Sequence, residues 1–197
     1  MGDFTFSGAI LAGGRSSRMG RDKAFLPIEG RPLIARQASL LREAGCSELI
    51  ISGLRDIDYG IPNTLVVYDS VQDVGPLAGL AAALSAARHP WVLVIAVDLP
   101  RLDLTFLRRL LSLGAGRTGI VPHVPHGFEP LTALYPRTLL LEAEKAVSAG
   151  NYSLQALMTA AEKLSLIKRL ELSPPEQDAL VNWNNPQDYG LKNSGES

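Results

Sequence analysis

Short apolar runs, rich in β-branched residues, alternate along this chain with stretches in which apolar positions recur every three or four residues. Residues 5–11, 48–52, 64–68 and 91–97 are the strongest runs and read as strands. Residues 119–124 and 131–135 are weaker strand candidates, and 165–172 reads as a late edge strand. Between them, 33–44 sets Ile34, Ala38 and Leu41 on one helical face, with Pro32 in the first turn and Gly45 as the stop. Pro76 opens a helix of mostly small residues running to Ala87, suited to close packing on a sheet. Asp103 is placed to cap a helix carrying Leu107, Leu110 and Leu111. Two further helices, 137–149 and 153–164, are separated by Gly150, and Pro186 starts a short last one. This alternation predicts an α/β fold around a largely parallel sheet buried on both faces.

Composition narrows the function classes. The 197 residues are 46% hydrophobic and 20% charged, within the range of folded soluble domains. Nineteen basic and 20 acidic side chains leave a net charge of -1, so no overall field recruits nucleic acid or an anionic membrane. No apolar run approaches the twenty or so residues of a membrane span. The N-terminus has no basic region ahead of an apolar one, and the expected location is cytoplasmic. Cys46 is the one cysteine, which excludes an internal disulfide and a cysteine-based metal cluster.

In a βαβ arrangement ligands gather at the carboxyl ends of the strands. That places Leu11, Ala12, Gly13 and Gly14, then Ser52, Asp69 and Asp98, on one rim. Residues 11–23 read Leu-Ala-Gly-Gly-Arg-Ser-Ser-Arg-Met-Gly-Arg-Asp-Lys. Adjacent glycines let backbone amides approach phosphate oxygens, and Arg18 and Lys23 add positive charge. Neither the Walker A pattern nor G-x-G-x-x-G is present. Two glycines alone would fit an ordinary βα turn with solvated cations.

The whole string resembles the signature of nucleotidyltransferases with a Rossmann-like sheet. Its wording is most similar to the molybdenum cofactor guanylyltransferases, or molybdopterin-guanine dinucleotide synthases. Leu11–Gly14, Ser16, Arg18–Gly20 and Asp22–Lys23 match that signature. Three later segments extend the resemblance over nearly the full chain: Gly-Pro-Leu-Ala-Gly at 75–79, Glu-Pro-Leu-Thr-Ala-Leu-Tyr at 129–135, and Asn-Trp-Asn-Asn-Pro-Gln-Asp at 182–188. Three positions depart from it. Ser52 stands where the family tends to carry Asn, Val97 replaces a cysteine before Asp98, and Asn185 replaces a threonine.

The resemblance implies a Rossmann-like three-layer sandwich with a mostly parallel, partly mixed sheet. It implies one nucleotidyltransferase domain over 1–197, with a nucleotide-binding half at about 1–100 and an acceptor-binding half at about 101–190. GTP is expected over Leu11, Ala12, Gly13 and Gly14, with Ser52 and Asp69 also on the nucleotide. Lys23 and Arg18 are expected on its phosphates, and Asp98 on Mg²⁺. Both Asp69 and Asp98 also suit loop caps, a reading that rivals the functional one for Asp69. Asn182 and Asn184 are carried over as contacts to a molybdopterin-type acceptor, and molybdoenzyme maturation proteins are the further partners the resemblance suggests.

Backbone amides, a lysine, an arginine and one or two carboxylates suit nucleotidyl transfer, in which the protein positions groups and stabilises spread negative charge. A phosphate acceptor is already ionised at neutral pH and needs no general base. His89, His123 and His126 show neither metal-helix spacing nor triad context, although His123 and His126 flank a loop before Glu129 and suit either an acceptor pocket or solvent. Trp183 suits ring stacking or core packing. The alternatives are a cytidylyltransferase, separated by one methyl at Ala12-Gly13, and a GTP-binding module without catalysis.

Overall fold

Alternate residues of the central strands feed two different cores, which is what makes the protein three layers thick. In β1 (Phe6–Leu11), Ile10 joins one core, while Ala9 and Leu11 join the other. The structure, a computed structural model, describes residues 4–13, 23–68, 75–114 and 118–183. The expectations for Gly14, Arg18, Asp69, Asn184 and the short helix at Pro186 fall outside those residues.

After β1 come the two-residue strands β2 (Pro27–Ile28) and β3 (Arg31–Pro32), paired antiparallel, then α1 (Leu33–Glu43) and β4 (Glu48–Gly53). β5 (Leu65–Tyr68), α2 (Pro76–Ala86), β6 (Trp91–Ala96) and α3 (Leu104–Gly114) follow. The later part holds β7 (Gly119–Val124), β8 (Gly127–Phe128), β9 (Thr132–Pro136), α4 (Leu140–Ser148), α5 (Leu154–Lys163), β10 (Ile167–Glu171) and α6 (Pro174–Gln177).

The main sheet has the order β10-β7-β9-β6-β1-β4-β5, with β8 paired to β7. β1 runs parallel to both β4 and β6, and β4 parallel to β5. Only β9 is reversed along that path, antiparallel to β6 and to β7. The sheet is therefore mostly parallel and partly mixed. α1 and α3 cover one face through Leu33, Ile34, Leu41, Phe106 and Leu110. α2, α4 and α5 cover the other through Leu77, Leu84, Ala143 and Met158. Strands buried on both faces explain the continuous apolar runs in the sequence.

Several local expectations are refined. Pro32 pairs with Pro27 in the small hairpin and is the N-cap of α1, its ψ of 142° still extended, so the helix begins one residue later at Leu33. The helix expected over 137–149 starts as a 3₁₀ turn, Arg137–Leu139, before α4. Asp103 does cap α3's first turn, its Oδ1 accepting the Phe106 N–H at 2.8 Å. Among the described residues no helix is long and apolar enough to cross a membrane.

Candidate active site

From β1 the chain moves through α1 to β4 and β5 on one side, then returns to place β6 on β1's other side. That reversal puts the topological switch point at the carboxyl ends of β1 and β6, the expected ligand position in such sheets. Ala12 and Gly13 both donate their N–H to the Ser52 carbonyl, at 2.8 and 3.1 Å. Val97, just past β6, donates its N–H to the Leu11 carbonyl at 3.1 Å. The start of the glycine-rich turn is thereby pinned to both neighbouring strands. Ser52 is only 1% exposed, and its main-chain oxygen is the anchor. Gly13 is exposed at the rim.

Lys23 opens a 3₁₀ turn, Lys23–Phe25, whose Ala24 is fully buried. Phe25 stacks on Tyr59, with ring centroids 5.9 Å apart and planes 6° from parallel. The Tyr59 hydroxyl oxygen accepts the Leu54 N–H at 2.9 Å, which fastens that ring to the end of β4. Held in this way, Lys23 reaches across 75 positions of sequence, and its Nζ lies 2.8 Å from Asp98 Oδ2. Both side chains are about one-fifth exposed, at 21% and 20%. Neither is sealed in the core, so a solvent-borne ligand can compete for each.

Asp98 follows β6 directly. Its carbonyl accepts the Trp183 N–H at 3.0 Å, tying the C-terminal Asn182-Trp183 segment beside it. Trp183 itself packs against the core on the α1 and α3 side. Next to Asp98 lies a cavity of about 260 Å³ whose lining includes Leu99, His126, Glu129, Thr132 and Asn182. Burial pushes the Glu129 carboxyl above the ordinary range, opposed by His126, whose Nε2 lies 3.4 Å from Oε1. The buried Tyr135 hydroxyl donates to the Pro130 carbonyl at 2.6 Å and fixes the loop that carries Glu129. His123 instead pairs with Glu171 across β7 and β10, at 3.1 Å.

The structure therefore brings Leu11, Ala12, Gly13, Ser52, Lys23 and Asp98 to one stretch of rim, with Asn182 on the adjoining cavity. A divalent cation fits the donor set. Asp98 Oδ2 takes the lysine, and Oδ1 has no hydrogen-bond partner among the described residues. Among those residues no group of three or more His, Cys, Asp or Glu is arranged to hold a metal alone. A cation here would draw most of its ligands from phosphate and water, which is the habit of Mg²⁺.

Sequence reasoning did not single out Gln37, Tyr135 or the carboxyl of Glu129. Gln37 left a legible trace as the polar member of α1's buried stripe Leu33, Ile34, Gln37, Ala38 and Leu41. Glu129 and Tyr135 were noticed only as parts of a motif.

A family model described as the MobA-like NTP transferase domain matches residues 8–165. The chain belongs to that family. As a MobA-like NTP transferase it is a nucleotidyltransferase enzyme. A probable molybdenum cofactor guanylyltransferase of Opitutus terrae is 38% identical over 188 residues, covering 92% of each chain. The molybdenum cofactor guanylyltransferase of Pseudomonas aeruginosa strain PAO1 is 43% identical over 150 residues, 73% of this chain and 75% of that one. Among solved structures, a nucleotidyl transferase from Methanothermobacter superposes with a TM-score of 0.74 at 23% identity, covering 95% of both chains. Molybdopterin-guanine dinucleotide biosynthesis protein A from Archaeoglobus fulgidus gives 0.73 at 22%, covering 94% of this chain and 95% of that one. These two likenesses establish the fold.

Proposed function

We propose that this MobA-like enzyme transfers GMP from GTP to the terminal phosphate of a molybdopterin-type acceptor, releasing pyrophosphate. The identity of donor and acceptor is supported by the names of its relatives. The reaction type is supported by one observation above all, the Lys23–Asp98 pair at the switch point of the sheet.

In this reading the triphosphate lies along Leu11, Ala12, Gly13 and Gly14, whose start is pinned to Ser52. An oxygen of the acceptor phosphate, ionised at neutral pH, attacks the α-phosphorus in line. The bond from the α-phosphorus to the bridging oxygen breaks, and the electron pair leaves with pyrophosphate. Mg²⁺ held at Asp98 would neutralise charge on the phosphate oxygens. The Lys23–Asp98 pair holds the two charges in place before substrate arrives. Lys23 is placed to turn from Asp98 to a phosphate oxygen of the nucleotide, and Asp98, released from the lysine, would be the residue to hold Mg²⁺, which would supply further positive charge at the phosphates. Such an exchange needs no buried charge to be left alone, since both groups are reachable from solvent.

Arg18 is assigned to the phosphates beside Lys23, and Asp69 to the nucleotide side. The cavity beside Asp98 is the acceptor side in this reading, with Asn182 on its wall and Asn184 two positions further on. The two halves, about 1–100 and 101–190, divide the work accordingly. In this reading the enzyme works in the cytoplasm, with molybdoenzyme maturation proteins as its further partners.

A nucleotide panel tests this. With Mg²⁺ and molybdopterin supplied, pyrophosphate release with GTP should exceed that with CTP, ATP or UTP by about tenfold or more. Preferential release with CTP would make the enzyme a cytidylyltransferase. Binding of GTP without release, acceptor present, would make it a carrier or regulator.

A further inference from the structure

On the face of α1 that packs on the sheet, Leu33, Ile34, Ala38 and Leu41 are 0–1% exposed, and Gln37 among them is 0% exposed. A leucine or methionine would continue that stripe. Gln37 instead directs its Nε2 at the chain leaving β6, with Leu99 O at 2.8 Å, Val97 O at 3.3 Å and Ala96 O at 3.5 Å. The two nearer carbonyls belong to the residues on either side of Asp98. The amide's orientation is dictated by these surroundings, because turning it over would set its oxygen against carbonyl oxygens.

That orientation has a cost. Gln37 Oε1 is buried with no partner among the described residues. A buried acceptor without a donor lowers stability, which an apolar side chain would avoid. The preceding residue, Arg36, donates from Nη2 to Leu102 O at 2.8 Å, so α1 grips the β6–α3 connection at a second point. An exposed loop would carry Asp98 over a range of positions. Here it is tied to a helix by donors on the flanking carbonyls.

We propose that Gln37 is a positioning residue for Asp98, locking the Val97–Leu99 backbone so that the carboxylate stands at Lys23 and at the phosphate–metal site. Its consequence for turnover rests on the nucleotidyl-transfer reading, whereas the positioning itself does not. Gln37→Met keeps the length and removes the donor. It should fold and leave the KM for GTP within about threefold, while kcat falls by about 10–100-fold and the Mg²⁺ needed for half-maximal rate rises. Labelling of the Lys23 amine by an acylating reagent, which requires no substrate, should speed up several-fold, as it should in Asp98→Asn. On an Asp98→Asn background, Gln37→Met should add little further loss in kcat.

Unchanged labelling in Gln37→Met, or an equal loss of kcat on both backgrounds, would overturn the proposal. Should Gln37→Met not fold, Gln37→Asn, which retracts the amide by one methylene, is read by the same two measurements. If the unmodified enzyme transfers no GMP, the nucleotidyl-transfer reading falls, and the Lys23 labelling still decides on Gln37.

Discussion

Lys23 and Asp98 are far apart in sequence, and each alone is an ordinary charged residue at a strand-proximal turn. Their meeting at 2.8 Å is what turns two motif fragments into one site. This much was legible, because the Asp-Lys pair and the strand-ending aspartate both sat in recognisable strings. Glu129 was less legible. Its charge state depends on tertiary burial beside a cavity formed by β9, α5 and the C-terminal segment, and no local pattern encodes that. Burial holds its folded pKa above the unfolded value of about 4.3, so its stabilising contribution is complete below that value. As pH rises through the folded pKa, that contribution is lost. Glu129→Gln, which never ionises, should melt with the parent near pH 4 and about 1–2 °C above it at pH 7–8. Melting curves across that range check this, and parallel profiles would count against it. If the carboxyl also faces the acceptor, the variant's KM for acceptor should rise while its KM for GTP holds.

At the level of elements, the strands and the long helices could be read from periodicity because each buries a stripe or both faces of a ribbon. The small β2–β3 hairpin could not, since two residues per strand carry no period. That the sheet is partly mixed was legible only through the resemblance, and periodicity did not single out β9 as the reversed strand, because alternation tells which faces are buried and not which way a strand runs. The elements also transmit to the site. Gly53 ends β4, and a Cβ there would stand 2.3 Å from the Tyr59 hydroxyl oxygen and 2.5 Å from its ring. Tyr59 is 4% exposed and stacked on Phe25, so it has little room to yield. Gly53→Ala should therefore lower stability by about 1–3 kcal/mol in urea unfolding. It should also reduce kcat by loosening the turn that aims Lys23. A variant with parental stability and rate would show that this ring is not a support of the site.

For the molecule as a whole, the fold says less about chemistry than the rim does. One architecture can host different chemistries, so it is the site that decides the reaction. What the three layers supply is a stiff sheet whose strand ends can be trusted to hold a lysine, a carboxylate and a pinned turn in register. If Lys23 and Asp98 act together on the triphosphate, single-turnover release of pyrophosphate from GTP reports it without interference from release of the other product. With acceptor and Mg²⁺ saturating, folded Lys23→Ala and Asp98→Asn should each slow release by about 100-fold or more. Release at close to the parental rate in either variant would mean that the pair does not carry the reaction.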